Sequence, residues 1–423
     1  MTAKHIEPGD INIIKIELSK LSGSQRNINL LPQVLSMSIY EDINEPSMML
    51  EITMVDSINL VQDYPIIGEE LISISVHTPG RENPTKIGFL IFSVDSTGVH
   101  PTSKASTYTI KAVTPIHFFS AATLIEKTYN STVDEIVTDI IRTTTASSTV
   151  KTSKLFVEKT KGLVPITIPK LNPFQAIDML RQKAISAEYQ SGGSFLFFEN
   201  QFGMQFRSIE GLLEEGKKQI ASKSFTYAPD TSSDKTRMQY AFRNILRFKN
   251  TGKFDSIEKM ESGVITGFVE SLDIFTKQKD KIEFKLAEKA KTFTSTDNKS
   301  KLPNSNEFIE RISQTPGKRF YMTKDSSKGN DFIDVNFSTK FAYLKLLNQN
   351  SVRVLVHGDT YLAAGDLIEL NLPEVSGTTE KKNFDSFNSG NYLITRLRHI
   401  ITVEEGGKPK HSISMDCARM GYK

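Results

Sequence analysis

The sequence has one cysteine, no long hydrophobic run and almost no excess of charge. The single cysteine, Cys417, excludes an intrachain disulfide framework and cysteine-based zinc sites. The 52 basic and 49 acidic residues leave a net charge of +3, which argues against a dedicated nucleic-acid-binding protein because such proteins carry a clear basic excess. Apolar runs such as residues 89–92 are too short to span a membrane, and the N-terminus lacks the order of a signal peptide. We therefore expect no signal peptide, no membrane-spanning segment, and either a reducing environment or a fold that needs no disulfides.

The distribution of strand and helix patterns divides the chain, whose 423 residues predict two to four domains. Short alternating apolar runs dominate residues 1–118 and predict a small antiparallel β-barrel or sandwich. Helical spacing of apolar residues then predicts a small α/β domain at 119–215. Strand patterns return at 216–275 and 350–423 and predict a second, discontinuous β-barrel, which an inserted peripheral domain at 276–349 interrupts. The predicted fold class is mainly β, and α+β overall.

Two helices of the predicted α/β domain have start signals. Thr132 and Glu135 have the spacing of a capping box in front of an apolar stripe. Asn172 is the expected N-cap of the second helix, and Pro173 suits its first position because the missing N–H would be unpaired there anyway. Two further runs, at residues 194–210, predict a hairpin.

Two distant segments share one strand pattern. Residues 71–76 read Leu-Ile-Ser-Ile-Ser-Val and residues 367–372 read Leu-Ile-Glu-Leu-Asn-Leu, each behind a glycine and an acidic residue. This alternation is typical of half-buried strands. The strands that follow begin at Phe89 and Tyr392, and in each segment the next strand begins 19 residues later. This equal spacing indicates a duplicated β domain rather than a chance likeness between unrelated domains.

The duplication makes a structural prediction. Residues 68–113 should match residues 365–416, with Phe89 in the place of Tyr392. The apolar positions of the third strand keep their parity, so that the buried face is preserved: Ile110 and Ala112 match Ile413 and Met415. A weaker likeness relates "EITMVDS", residues 51–57, to "GFVESLD", residues 267–273.

No constellation of residues predicts a catalytic, cofactor-binding or metal site. The segment "GLLEEGKK", residues 211–218, has the glycine and lysine spacing of a phosphate-binding loop, but Lys218 replaces the Ser or Thr that ligates magnesium, so a solvated turn is the better interpretation. "SGGSF", residues 191–195, lacks the spacing of a nucleophile elbow. Carboxylate pairs are plentiful, but none is singled out as hydrolase acids. The lysine-rich run 277–291 is typical of a solvated face, with a docking surface as the alternative.

The histidines likewise fail to form a metal-binding motif. His357 and His399 are expected at strand ends, where packing or a surface hydrogen bond is more common than metal binding. The seven histidines are His5, His77, His100, His117, His357, His399 and His411.

Four segments, taken in order, resemble the baseplate hub protein of contractile-tailed bacteriophages, a family related to the base of the type VI secretion spike. They begin "SIYEDINEPSMML", "LNPFQAIDMLRQK", "NILRFKNTGKF" and "VLVHGDTYLAAGD", and lie at residues 38–79, 171–213, 244–273 and 354–399. The resemblance covers most of the chain and is weakest at 277–338.

The resemblance implies a structural protein rather than an enzyme. Family members form a homotrimer in which two tail-tube-like barrels per chain make a ring of six, and this ring adapts the hexameric tail tube to the trimeric central spike. The implied partners are the central spike protein, the tail tube or tube-initiator protein, and the tape measure and other baseplate proteins. DNA would pass through the channel without specific binding, so we expect a neutral or acidic lining. The implied location is the virion, after assembly in the host cytoplasm. Because the chain stops at Lys423, just behind the second barrel, the spike and any lysozyme are expected on separate polypeptides.

Two alternatives stay open at the level of sequence. The chain would be a tail-associated cell-wall hydrolase if the α/β domain held a cleft with a perturbed carboxylate or a metal. It would be the hub of a phage-derived injection particle if the tail does not belong to an infectious phage.

Overall fold

The computed structural model describes residues 7–21, 27–56, 60, 64–68, 70–99, 106–146, 153–189, 193–227, 242–252, 255–289, 293–297, 306–314, 317–325, 333–374, 384–403 and 408–421. Within them no helix is long and apolar enough to cross a membrane.

Strands dominate the structure, as alternating apolar residues predict. Among the described residues, twelve strands precede the middle of the chain: β1 (Asn12–Lys20), β2 (Ile28–Asn29), β3 (Val34–Asp42), β4 (Met49–Asp56), β5 (Glu70–His77), β6 (Thr85–Val99), β7 (Ser106–Val113), β8 (Ile125–Ser131), β9 (Leu155–Val157), β10 (Val164–Leu171), β11 (Phe195–Asn200) and β12 (Gly203–Ser208). Nine follow: β13 (Ser224–Thr226), β14 (Ile245–Asn250), β15 (Thr266–Asp273), β16 (Lys279–Lys285), β17 (Lys318–Lys324), β18 (Asn350–His357), β19 (Leu367–Asn371), β20 (Gly390–Val403) and β21 (Pro409–Arg419).

Along the described chain the helices fall into two groups, one between β7 and β13 and one between β14 and β18. They are α1 (Pro115–Ala122), α2 (Val133–Thr145), α3 (Pro173–Arg181), α4 (Ile209–Gln219), α5 (Ser256–Ser262), α6 (Leu286–Lys289), α7 (Asn306–Ile312) and α8 (Ile333–Leu347). The predicted fold class, mainly β and α+β overall, is confirmed.

One 13-stranded sheet forms the body of the protein, in the order β14-β18-β21-β20-β3-β4-β7-β6-β5-β1-β2, with β19 on β20 and β13 on β19. It consists of two units. The first unit runs β3-β4-β7-β6-β5-β1, and the second runs β14-β18-β21-β20-β19-β13. The first five strands of each unit thus occupy the same places and pair antiparallel, as a duplication requires. The sixth strands differ in direction, since β1 pairs antiparallel with β5 and β13 pairs parallel with β19. Among the described residues the pairings form an open path and do not close either unit into a hydrogen-bonded barrel.

The registers of the two units agree residue by residue. Ile72 lies opposite Phe89 in the first unit, and Ile368 lies opposite Tyr392 in the second. Phe89 and Tyr392 therefore have the same position, as predicted. A bulge follows two residues later in both units, between Ile91 and Ser93 and between Ile394 and Arg396.

A second bulge recurs where each unit begins. It lies between Val34 and Ser36 in β3, and between Ile245 and Arg247 in β14. Bulges are specific local features, so their recurrence at equivalent positions is stronger support for duplication than alternation is.

The acidic residue in front of each repeated strand has the same role. Glu70 is buried, accepts hydrogen bonds from the N–H groups of Ile67 and Gly68, and lies 3.0 Å from Lys20 Nζ. Asp366 accepts from the N–H of Ala363 and lies 2.7 Å from Lys223 Nζ. Gly68 and Gly365 both have a positive φ, of 97° and 92°, a conformation that favours glycine. The repeated glycine and acid therefore build a turn closed by a lysine.

Two details of the predicted alignment are wrong. Val113 lies opposite Leu90, and Ala418 lies opposite Leu393. The alignment of β21 on β7 is therefore offset by two residues from the predicted one. Ile110 thus corresponds to Met415, and Ala112 to Cys417. The parity is correct, but the shared spacing of 19 residues does not mark equivalent positions. A two-residue shift escapes a pattern of period two.

The likeness between residues 51–57 and 267–273 is also wrong, because β18 takes the place of β4. β15 instead lies between β16 and β17 in a separate three-stranded sheet. The predicted boundary between residues 275 and 276 thus falls in the β15–β16 hairpin. The domain limits stay a prediction.

Each unit has its own hydrophobic core. The first core contains Ile16, Leu50, Ile72, Phe89 and Ile110, and also Ile401 from β20 of the second unit. The second contains Val354, Ile368, Tyr392, Leu397 and Met415. Ile401 therefore ties the second unit to the first by side-chain packing as well as by backbone pairing.

The region between the units has the expected α/β character. The sheets β10-β8 and β11-β12-β9 pack with α2 and α3 around a third core. Asn172 caps α3 in a capping box with Gln175, and Pro173 is at the first position. The 194–210 hairpin is confirmed by the pairing of β11 with β12.

The predicted capping box of α2 is wrong. Thr132 is the N-cap but makes no side-chain cap hydrogen bond. Instead the N–H of Asp134 donates to Thr160 Oγ1, 3.1 Å away, and Glu135 accepts from Ser131 Oγ. A side chain distant in sequence thus satisfies this helix end.

Candidate functional site at the junction of the two units

The two units meet edge to edge where β3 pairs with β20. The pairing is antiparallel and runs from Arg396 opposite Asp42 to Thr402 opposite Ser36. Since β3 starts the first unit and β20 lies inside the second, the C-terminal half of β20 carries β21 on one edge and β3 on the other. We call this pairing the junction.

Charged and hydroxyl side chains cross the junction on the face opposite the two cores. Arg396 Nε lies 2.6 Å from Asp42 Oδ2. Arg398 donates to Ser38 Oγ at 3.1 and 3.2 Å, and its guanidinium lies over the Tyr40 ring at 5.1 Å. Because Arg396 is largely exposed, its ion pair contributes about 0–1 kcal/mol. These contacts therefore set the register of the junction more than its stability.

The same face carries further ion pairs on both sides of the junction. Arg353 donates to both oxygens of Asp416, at 2.6 and 2.9 Å. Lys111 lies 2.7 Å from Asp95. A groove of about 820 Å³ runs over this face. Its lining includes Tyr40, Met49, His117, Phe118, Arg396 and Arg398.

Glu41 anchors the junction from its buried side. Its carboxylate accepts hydrogen bonds from the N–H of Ala364, at 2.7 Å, and of Gln201, at 2.9 Å. It thereby joins β3 to the turn of the β11–β12 hairpin and to the loop before β19. Burial raises the pKa of Glu41 to about 8, because the surroundings disfavour the charged form. Sequence analysis missed this residue, although a carboxylate at an otherwise apolar position of a strand is a usable signal.

Three buried or half-buried carboxylates, Glu41, Glu199 and Asp366, are engaged within the fold. Burial also raises the pKa of Glu199 and of Asp366. Glu199 accepts from Thr114 Oγ1 and from Ser153 Oγ, while Asp366 is held by Lys223. Each of these groups thus has a hydrogen-bonding or ionic partner within the fold. The prediction that no catalytic or cofactor-binding residue exists stays a prediction.

Two histidines form a buried pair beside the junction. His399 Nδ1 lies 3.0 Å from His411 Nε2. Burial lowers the pKa of His399 to about 4, and burial together with His399 lowers that of His411. His399 lies in the middle of β20, so its predicted position at a strand end is wrong, whereas His357 does end β18.

The other residues considered as sites are placed as follows. His5, His100 and part of the 191–195 segment lie outside the described residues. No group of three or more His, Cys, Asp or Glu side chains that could hold a metal occurs in the part of the chain that the structure describes. Most side chains of β16, which lies within the run 277–291, are exposed, as predicted for a solvated face; residues 290 and 291 lie outside the described residues.

The segment 211–218 is helical, and the predicted turn is wrong. It lies inside α4, capped by Ser208, whose Oγ accepts from the N–H of Gly211. Leu212 and Leu213 are buried there. A Cβ on Gly216 would lie 2.4 Å from Leu367 Cβ, so close packing on β19 explains this glycine. The N–H of Gly211 is bonded to Ser208 Oγ, and the N–H groups beyond the first turn are bonded within the helix, so the segment does not form a phosphate-cradling loop.

Comparison with known proteins gives a fold. No protein-family model and no curated protein matches the sequence. The tail protein of Neisseria meningitidis aligns at a TM-score of 0.55, with 8% identity over 96% of each chain. The 43 kDa tail protein of prophage MuSo2 from Shewanella oneidensis aligns at 0.54, with 11% identity over 96% of this chain and 98% of that one.

A third structure, a type VI secretion system component of E. coli, aligns at a TM-score of 0.45, with 10% identity over 98% of this chain and 78% of that one. This similarity is too low to support an inference. The first two cover both chains almost completely, at identities that establish the fold alone. The chain therefore has the fold of phage tail proteins.

Proposed function

We propose that the protein is the structural baseplate hub of a contractile phage tail. The observation that carries this proposal is the duplicated sheet unit, whose two copies are joined edge to edge by the junction. A chain that carries two like units can present six similar units from three copies. The fold shared with two tail proteins supports the same role.

The duplication reconciles two symmetries. A six-fold tail tube offers six similar contacts at its end, and a three-fold spike offers three. A homotrimer of a duplicated chain has true three-fold symmetry and approximate six-fold symmetry. It can therefore bind a hexameric tube, or a tube-initiator protein, on one side and a trimeric central spike on the other, with the tape measure and other baseplate proteins as further partners.

The polar face at the junction is the proposed lining of a channel for DNA. Its arginines already have partners: Arg396 with Asp42, Arg353 with Asp416, and Arg398 with Ser38. Each free cation that contacts a phosphate adds affinity for the duplex. Because carboxylates neutralise Arg396 and Arg353 within the fold, the lining would hold DNA only weakly and let it pass during ejection.

The proposed role involves no catalysis, and the proposed location is the virion. A cell-wall hydrolase would need a carboxylate of raised pKa that faces an open cleft and a second carboxylate at a defined distance. Glu41 has the raised pKa, but backbone N–H groups occupy both its oxygens.

Solution mass and a peptidoglycan turbidity assay test the proposal together. We expect a particle of about 142 kDa, three times the 47.4 kDa chain, that leaves cell-wall suspensions turbid. A monomer that clears the suspension would overturn the structural role in favour of a hydrolase.

A further inference from the structure

The junction pairs one strand of the second unit, β20, with one strand of the first, β3. Each of these strands has an equivalent in the other unit, and the described edges of these equivalents are not paired with each other. By the alignment of the two units, β20 corresponds to β6 and β3 corresponds to β14. Within one chain β20 pairs with β3. Among the described strands, however, residues 93–99 of β6 pair only with β7, and β14 pairs only with β18. Within the part of the chain that the structure describes, one edge of each has no strand beside it, and such an open edge is a liability for a sheet.

We propose that β14 of one chain pairs antiparallel with residues 93–99 of β6 in a second copy of the chain, repeating the junction between molecules. This inference rests on the proposed trimeric hub and specifies its contact. Each chain has one edge of each kind, so the contact is head-to-tail, and three chains close the ring.

The equivalences fix the register of this contact. At the junction Arg398 lies opposite Tyr40, and Thr402 opposite Ser36. The matching registers and bulges place Asp95 at the position of Arg398, and Thr251 at that of Tyr40. In the contact between chains, Asp95 should thus lie opposite Thr251. The bulge between Ser96 and Val99 of β6 has no counterpart in the junction half of β20, so the equivalences assign the register only as far as Ser96.

Charge favours this contact over a symmetric one. Arg398 reaches diagonally to Ser38, 3.1 Å away, across the junction. The same diagonal between chains joins Asp95 to Lys249, two exposed residues of opposite charge. Two β14 strands, in contrast, would bring Arg247 and Lys249 of one copy against those of another. Like charges across a strand pair are destabilising, so β14 is suited to β6 and not to itself.

Engineered cysteines test the register directly. Residues directly opposite on antiparallel strands have Cα atoms about 4.5–5.5 Å apart, within the roughly 4.4–6.8 Å that a disulfide spans. In the full-length chain, Asp95→Cys with Thr251→Cys should give a covalent trimer on a non-reducing gel. The matched control, Tyr40→Cys with Arg398→Cys, should form its disulfide within one chain and leave the mass unchanged. Cys417 is buried and should not interfere.

The outcomes separate this contact from the proposed function. A trimer by mass that fails to cross-link, while the control forms its disulfide, would overturn the proposed edge pairing and leave the trimeric hub intact. A ladder of longer oligomers would overturn closure after three chains. A monomer without cross-links would contradict both proposals.

A charge exchange gives a second readout that does not depend on disulfide formation. Asp95→Lys or Lys249→Asp alone should raise the trimer dissociation constant by about tenfold or more, because like charges then meet. The double variant should bind more tightly than Asp95→Lys alone, because opposite charges again meet between chains, but not as tightly as the parent, because Lys111 then lacks its partner Asp95 within the chain. Lys127→Asp, which reverses one charge of an exposed ion pair with Asp139 far from these edges, should change nothing. Equal dissociation constants for the parent and both single variants would overturn the proposed charge pair.

Discussion

The buried ion pair between Asp297 and Arg419 offers the sharpest test of how the inserted region is held to the second unit. Arg419 is fully buried at the end of β21, and its Nε and Nη2 lie 2.9 and 2.8 Å from Asp297 Oδ2. Asp297 Oδ1 also accepts from the N–H of Asn391, at 3.1 Å. Asp297→Asn keeps the volume and that acceptor but removes the charge, so the guanidinium stays buried without its counter-ion.

The expected loss in the free energy of unfolding is large because the Arg419 guanidinium stays buried without a counter-ion. The lost attraction to Asp297 matters less. Removing one partner of a buried pair typically costs about 3–5 kcal/mol. Asp280→Asn is the matched control: Asp280 lies 2.6 Å from Lys324 in an exposed pair, which contributes about 0–1 kcal/mol. Urea unfolding followed by circular dichroism should therefore show a much lower midpoint for Asp297→Asn than for Asp280→Asn.

Two results would refute this reasoning. The first is a loss below about 1 kcal/mol for Asp297→Asn, equal to that of the exposed control. The second concerns the double variant Asp297→Leu with Arg419→Met, which replaces the pair by apolar side chains. It should be more stable than Asp297→Asn, because no uncompensated charge remains. A double variant that is the less stable of the two would contradict burial of an unpaired charge as the cause.

Three further predictions concern the buried Glu41, the buried His399 and the two hydrophobic cores. Because the pKa of Glu41 is raised to about 8 from 4.5, the free energy of unfolding should fall as pH rises from about 4.5 to about 8. Urea unfolding across that window should show a smaller fall for Glu41→Gln, and an equal fall in the variant and the parent would contradict the assignment to Glu41. The pKa of His399 is lowered to about 4 from 6.5, so the free energy of unfolding should fall as pH decreases below about 6.5, and less so in His399→Gln; equal slopes for the two proteins would show that His399 is not the cause. Phe89→Ala and Tyr392→Ala should each cost about 3–5 kcal/mol in urea unfolding because both side chains are fully buried at equivalent positions; Phe92→Ala, at a half-exposed side chain, is the control, and a cost as small as the control's at either buried position would contradict the matched cores.

The architecture was predictable where one face of a strand is buried. Alternation placed Ile72, Ile368 and Tyr392 in cores, because a strand of the wrong parity would expose its apolar side chains. The same signal has a period of two and cannot detect a shift of two residues. The offset between Ile110 and Met415 therefore emerged only from the backbone pairings.

The junction was beyond sequence reasoning because it depends on long-range pairing. Nothing local in β3 indicates that β20, more than 300 residues later, covers its edge. Tertiary contacts also overrode local signals elsewhere. Thr160 replaces the predicted cap of α2, and packing of Leu212 and Leu213 makes a helix of a segment that contains two glycines.

Electron microscopy of the purified protein viewed along its axis tests the central claim most directly. We expect a ring with true three-fold symmetry, six similar lobes and a central opening, because three chains contribute two like units each. Isolated single chains, a ring with three lobes, or a particle without a central opening would contradict it.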